Sequence, residues 1–233
     1  MQVLDFLKKI ESMKASVFSL NDISRIINKN KNYSSLYIHR LKKKNIVFEI
    51  EKNKYTLSQD PYEIASNLVF PCYISFISAY SLYGLSTQIP RHIYVVSLKF
   101  KKSIKFNGMT IDFIIFKRIF GYKKIIYKKN YLFVAEIEKA IVDSLYLLKY
   151  CPLSETYGVL KNKSFDLDRL LQYALMMDSI VLLKRLGYLL ELIGVDIFKK
   201  IKINNRYDLL NPYLKRSKNN LIKWKLNINE VLE

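Results

Sequence analysis

FSLNDISRIINKNKNYSSLYIHRLKKKNIVFEIEKNKYTL, Phe18 to Leu57, is the stretch whose reading decides the fold. Ser19 or Asn21 can cap a short helix that turns Ile23, Ile26 and Ile27 to one side. Asn28 to Asn32, NKNKN, cannot easily extend that helix and makes a turn. A second helix is predicted from about Tyr33 to Lys44, with Tyr33, Leu36, Tyr37 and Leu41 as its inward face. Asn45 then suits a left-handed cap. IVFEI and KYTL follow as two short β-like runs joined by Glu51, Lys52 and Asn53, which reads as a hairpin. Working outward, Val3, Leu4, Leu7 and Ile10 space one face of a helix over Met1–Met13. Helix, helix, turn, basic helix and hairpin within residues 1–60 is the order of a winged helix-turn-helix.

The outward side of the second helix is read as Ser34, Ser35, His39, Lys42 and Lys43, with Arg40 alongside. Hydroxyls and free amides at the start of a helix reach base edges or phosphates, and cations further along meet the backbone. The expected DNA contacts are therefore Ser34, Ser35 and His39 on bases, and Arg40, Lys42, Lys43, Lys52 and Lys54 on phosphates. Charge points the same way: 39 Lys and Arg stand against 20 Asp and Glu, a net +19. Polyanions are the default partner for such an excess. Residues 61–130 are the most basic block, with 11 cations and 2 acids. Arg91, Lys99, Lys101, Lys102, Lys105, Lys123 and Lys124 could thus add a nonspecific DNA track.

Beyond residue 60 the composition shifts. Ile64 to Pro90 carries no charge, but Asn67, Pro71, Gly84, Gln88 and several serines make it too polar for a bilayer helix. It reads as a buried helix opening at Pro71 and ending at Gly84. HIYVVSL, SIKF and MTIDFIIF read as strands, the last two joined by Asn107-Gly108, and KIIYKKNYLFVA as a further pair turning near Lys129-Asn130. EIEKAIVDSLYLLKY, DLDRLLQYALMM and SIVLLKRLGYLLELIG are helices, and LIKWKLNIN alternates as a final strand. Strands before helices predict an α+β protein: a winged helix-turn-helix over 1–60, then a mixed α/β domain over 61–233.

Other chemistries fare poorly. Cys72, Cys151, His39 and His92 show no metal-ligand spacing, so the cysteines read as small core residues in a reducing compartment. Asp112, Glu136, Glu138 and Lys139 fail the nuclease pattern, because Glu138 and Lys139 are adjacent and fall in a helix, where they read as first-turn charges. Neither a Gly-Ser turn with an Asp-x-Asp pair nor a phosphate-binding G-x-x-x-x-G-K is present. The expectation is a protein without catalytic residues, cofactor or metal. Asp5, Lys8 and Lys9 interrupt any N-terminal apolar run, so no signal peptide is expected, and the location is read as cytoplasmic.

Five segments carry a family resemblance: YISFISAYSLYGLSTQIP, Phe120-Gly121, VAEIEKAIVDSLY, RLGYLLELIG and WKLNIN. In this order and spacing they resemble the AbiEi family of antitoxins from type IV toxin–antitoxin systems, across most of residues 60–230. The acid-rich segment departs at Ile137, where members often have proline. The resemblance implies an antitoxin domain behind the winged helix and two roles. One is autorepression at an inverted repeat in double-stranded DNA. The other is countering a nucleotidyltransferase toxin, directly or indirectly. A stand-alone winged-helix regulator is the alternative, and a metal-dependent nuclease the weaker one.

Overall fold

The computed structural model describes residues 2–86, 88, 90–128 and 130–232. The protein is α+β. Its N-terminal elements are α1 (Val3–Ser12), β1 (Phe18–Ser19), α2 (Leu20–Ile27), α3 (Lys31–Lys43), β2 (Phe48–Glu51) and β3 (Lys54–Thr56). Ser19, not Asn21, caps α2: its hydroxyl accepts from Asp22 N while the Asp22 carboxylate accepts from Ser19 N. That reciprocal box fixes where α2 begins. Asn28 and Asn45 both take left-handed conformations, at φ 52° and 54°, and so end α2 and turn the chain after α3. The expected β2–β3 hairpin forms and gains β1 as a third strand, in the order β1-β3-β2. Phe6, Ile10, Phe18, Ile23, Ile38, Leu41 and Val47 fill one core beneath these elements.

Next come α4 (Pro61–Ala65), β4 (Cys72–Ile74), α5 (Phe76–Leu82), β5 (His92–Ser97), β6 (Ile104–Phe106), β7 (Met109–Ile115), β8 (Tyr122–Tyr127) and β9 (Asn130–Ala135). The uncharged run is therefore not one helix opening at Pro71. Residues 72–74 form a strand between β5 and β9, and α5 starts only at Phe76. A three-residue strand buried on both faces has no alternation to give it away. Among the described residues no helix is long and apolar enough to cross a membrane. Six strands pair in the order β6-β7-β5-β4-β9-β8, with β5–β7 and β4–β9 parallel. The Asn107-Gly108 turn joins β6 to β7 with Phe106 opposite Met109; both turn residues have positive φ, 44° and 78°. The turn expected near Lys129-Asn130 falls partly on Lys129, outside the described residues.

The rest is helical: α6 (Ile137–Tyr146), α7 (Leu153–Lys161), α8 (Leu167–Met176) and α9 (Ile180–Leu192). Asp166 and Ser179 cap α8 and α9 through their side-chain oxygens. LIKWKLNIN is not a single strand. It splits into β11 (Asn220–Leu221) and β12 (Leu226–Asn227), which pair with each other, while β10 (Asp208–Leu209) lies parallel to β12. Burying Trp224 in the intervening turn breaks the alternation.

Contacts divide the chain into two compact units, one of Met1–Ile74, Arg91–Ile119 and Lys123–Val134, the other of Ser75–Pro90, Phe120–Tyr122 and Ala135–Glu233. This division does not fall at residue 60. Hydrogen bonds tie the first sixty residues to the sheet of the same unit, Asn107 Nδ2 to Gln59 O at 2.8 Å and Lys101 Nζ to Glu51 at 2.6 Å among them. The composition break at Pro61 marks a change of residue type, and packing runs across it.

Candidate nucleic-acid interface

α3 begins at Lys31, two residues before Tyr33, because the Asn30 side chain accepts from Tyr33 N at 2.9 Å. That start leaves the amides of Lys31 and Asn32 without an intrahelical acceptor. It also fixes which residues face inward. Ser34, Ile38 and Leu41 are buried and Tyr37 is half-buried, spaced i, i+3, i+4 and i+7. Tyr37 packs edge-on against Phe6, with ring centroids 5.4 Å apart.

Two expectations are corrected. Tyr33 and Leu36 do not face inward: they are 47% and 60% exposed. Ser34 does not face outward. It is fully buried, donates to Asn30 O at 2.8 Å and accepts from Ser24 Oγ at 2.9 Å, so it joins α2 to α3. Of the four residues expected inward, Tyr37 and Leu41 are kept, and Ser34 and Ile38 take the places of Tyr33 and Leu36. The signals that find the true face are Asn30 as the cap and the apolar set Tyr37, Ile38 and Leu41.

The solvent side of α3 carries Asn32, Ser35, Leu36, His39, Arg40 and Lys43, all exposed. On a helix these positions form one continuous strip, with Asn32, Leu36, His39 and Lys43 along its centre and Ser35 and Arg40 on its flanks. Of the expected contacts, Ser35, His39, Arg40 and Lys43 therefore share a surface, and sequence reasoning missed Asn32 and Leu36.

Lys42 turns to the hairpin instead, ion-paired with Glu49. Lys52 is exposed at the hairpin turn, whereas Lys54 is held: Nζ lies 2.9 Å from Glu51 and donates to Leu68 O at 3.0 Å. Burial works to raise the Glu51 carboxyl, but hydrogen bonds and charge from Lys101 and Lys54 outweigh it and leave the group below its ordinary value. The two lysines are thus partly neutralised inside the protein. Lys43, Arg40 and Lys52 carry the cationic side of the surface.

The residues expected to form a track on the sheet separate. Lys105 lies on β6 and Lys123 and Lys124 on β8, the two opposite edges of the six-stranded order. Lys101 is bound to Glu51, and Lys124 sits 3.7 Å from the centre of the Tyr131 ring.

The acids tested for nuclease chemistry are each engaged locally. Asp112 lies 2.6 Å from His92 Nδ1 and accepts from Ser103. Glu136 accepts from Tyr173 at 2.6 Å, and Glu138 accepts from Asp166 N at 2.8 Å. Glu138 and Lys139 do fall in the first turn of α6, and both are buried there, Lys139 completely. Its ammonium pairs with Asp143 one turn on and lies 4.5 Å from the centre of the Phe120 ring, while Ser75 donates to Asp143 at 2.8 Å. Burial holds the Lys139 ammonium below the usual lysine value against the pull of Asp143.

Several of the segments that carry the resemblance meet in this second unit. Gly121 has φ 64°, and a Cβ there would press on Tyr173 and the Lys139 stem. Gly187 lies against Trp224 so closely that a Cβ would overlap its ring. No family model matches the chain, and a search of the curated proteins finds no match.

Proposed function

We propose that this protein is a DNA-binding transcriptional autorepressor and the antitoxin of a type IV toxin–antitoxin system, countering a nucleotidyltransferase toxin in the cytoplasm. The observation that carries the DNA reading is the exposed strip of α3, followed in the chain by a hairpin whose turn exposes Lys52. In this reading residues 1–60 work as a winged helix-turn-helix. α3 lies in a major groove, with Asn32, Ser35 and His39 at base edges and Leu36 against thymine methyl groups. Arg40, Lys43 and Lys52 contact phosphates. The antitoxin reading rests on the five-segment resemblance. Phe120-Gly121 with the acid-rich segment, and RLGYLLELIG with WKLNIN, pack as pairs that support one another, which is what a retained domain requires. The protein does no chemistry of its own in this account: the acids that suggested a nuclease hold structure together.

The test is a salt-titrated gel shift with footprinting, on DNA upstream of the gene against random duplex. The expected result is a protected inverted repeat that is lost in Ser35→Ala/Arg40→Ala. Equal affinity for both duplexes would sink the autorepressor reading. Co-expression with a nucleotidyltransferase encoded beside the gene tests the other half: relief of its toxicity is expected, and persistent toxicity would leave a stand-alone regulator.

A further inference from the structure

A cavity of about 340 Å³ opens within the first unit, where α1 and the loop after it meet β3, α4 and β9. That is the size of pockets that take small organic ligands. Its apolar wall includes Ile10 and Leu57. Its charged groups are two carboxylates and one ammonium, among neutral hydroxyl and amide groups. Glu63 on α4, only 6% exposed, lines it and accepts from Asn130 Nδ2 at 2.7 Å. Glu11 lines it from the exposed side of α1. Lys128, the cation among the lining residues, is already ion-paired with Asp60. The Ser16 hydroxyl also lines the cavity; it is 4% exposed, and its oxygen has no hydrogen-bond partner among the described residues. A buried hydroxyl left so is destabilising, and a ligand that donates to it removes that penalty.

In a chain of net charge +19, a carboxylate-lined cavity with an apolar wall selects against phosphates and carboxylic acids. The geometry points to a binding site for a short aliphatic diamine. One ammonium pairs with Glu63 and donates to the Ser16 oxygen, the methylenes lie on Ile10 and Leu57, and the second ammonium pairs with Glu11. Charge-assisted hydrogen bonds at both ends set the specificity. A monoamine satisfies one end, and a diol neither. This site is independent of the DNA-binding reading, and its test contains no DNA.

The test is titration calorimetry of the full chain at low ionic strength with cadaverine, and with pentylamine and pentanediol as length-matched controls. Saturable one-to-one binding of cadaverine is expected, about tenfold weaker binding of pentylamine, and none of pentanediol. Glu63→Gln should weaken cadaverine by about tenfold or more. Should that variant fail to fold by circular dichroism, Glu11→Gln, altered only on an exposed helix face, should bring cadaverine down to the affinity of pentylamine. Absence of saturable binding at millimolar cadaverine overturns the proposal. So does equal binding of cadaverine and pentylamine, or undiminished cadaverine binding in both the folded glutamate variants.

Discussion

α3 and α6 are both amphipathic in sequence and both rich in charge, yet they use charge in opposite directions. On α3, Arg40 and Lys43 stand in solvent while a serine, Ser34, is taken into the core. On α6, Lys139 and Asp143 are themselves the core, stacked one turn apart with no exposure at all. The difference teaches that a charged residue on a helix is surface only where the packing around it leaves room for water. α3 packs one face, against α1 and α2. α6 is packed by α5, α7, α8 and α9, and its cation must find a partner inside.

The comparison breaks most visibly at Lys139. Lys139→Met strands the Asp143 carboxylate and should cost about 3–5 kcal/mol of stability by urea denaturation. Lys43→Ala should stay within about 0.5 kcal/mol, as an exposed substitution. If Lys139→Met cost no more than Lys43→Ala, the inward use of charge on α6 would be wrong.

On α3 the large effect should be on binding instead. His39→Ala is expected to lose about 1–3 kcal/mol on the preferred duplex alone. Lys43→Ala should weaken every duplex alike and lower the salt slope by about one. Specific loss from Lys43→Ala, or uniform loss from His39→Ala, would invert the assignment of the strip.

Ser34 sharpens the contrast. Ser34→Ala should cost about 1 kcal/mol of stability by breaking the link to Ser24 and Asn30, with DNA affinity unchanged per folded molecule. A selective loss of DNA affinity at full stability would return Ser34 to the interface.

The finest readout comes from the thiols, one in each unit. Burial pushes both Cys72 and Cys151 up to about 12. A folded value raised above the ordinary 9.0 means a stabilising contribution that is whole below about pH 9 and lost as pH rises from there toward 12. Neither thiol should react with a disulfide reagent at pH 8 in the native protein, and both should react in denaturant. Their order of appearance under rising urea reports which unit opens first, and rapid native labelling of Cys72 or Cys151 would contradict its burial.

Much of this was legible. The cap at Ser19, the left-handed asparagine at 45 and the Asn107-Gly108 turn are local chemistry, decided within three or four residues, and the structure keeps all three. What escaped was set by partners distant in sequence. Residues 72–74 form a strand because β5 and β9 flank them, and nothing in three apolar residues announces it. β1 is two residues long and exists because Tyr55 and Lys54 lie beside it. In the candidate interface, Ser35, His39, Arg40, Lys43 and Lys52 were readable from residue type and spacing. Ser34, Lys42 and Lys54 were not, since each is engaged by a group that only folding brings near.

The sequence by itself determined the α+β class, the cap that starts α2, the turns at Asn45 and Asn107-Gly108 and the basic character of the α3 surface, because capping, turn chemistry and net charge act over short range or sum over the chain. The tertiary structure alone decided which serine faces water, which lysines are neutralised by Glu49, Glu51 and Asp143, and where the basic residues of the sheet lie. Burial and ion pairing depend on distances between groups far apart along the chain, and those distances exist only once the core has closed.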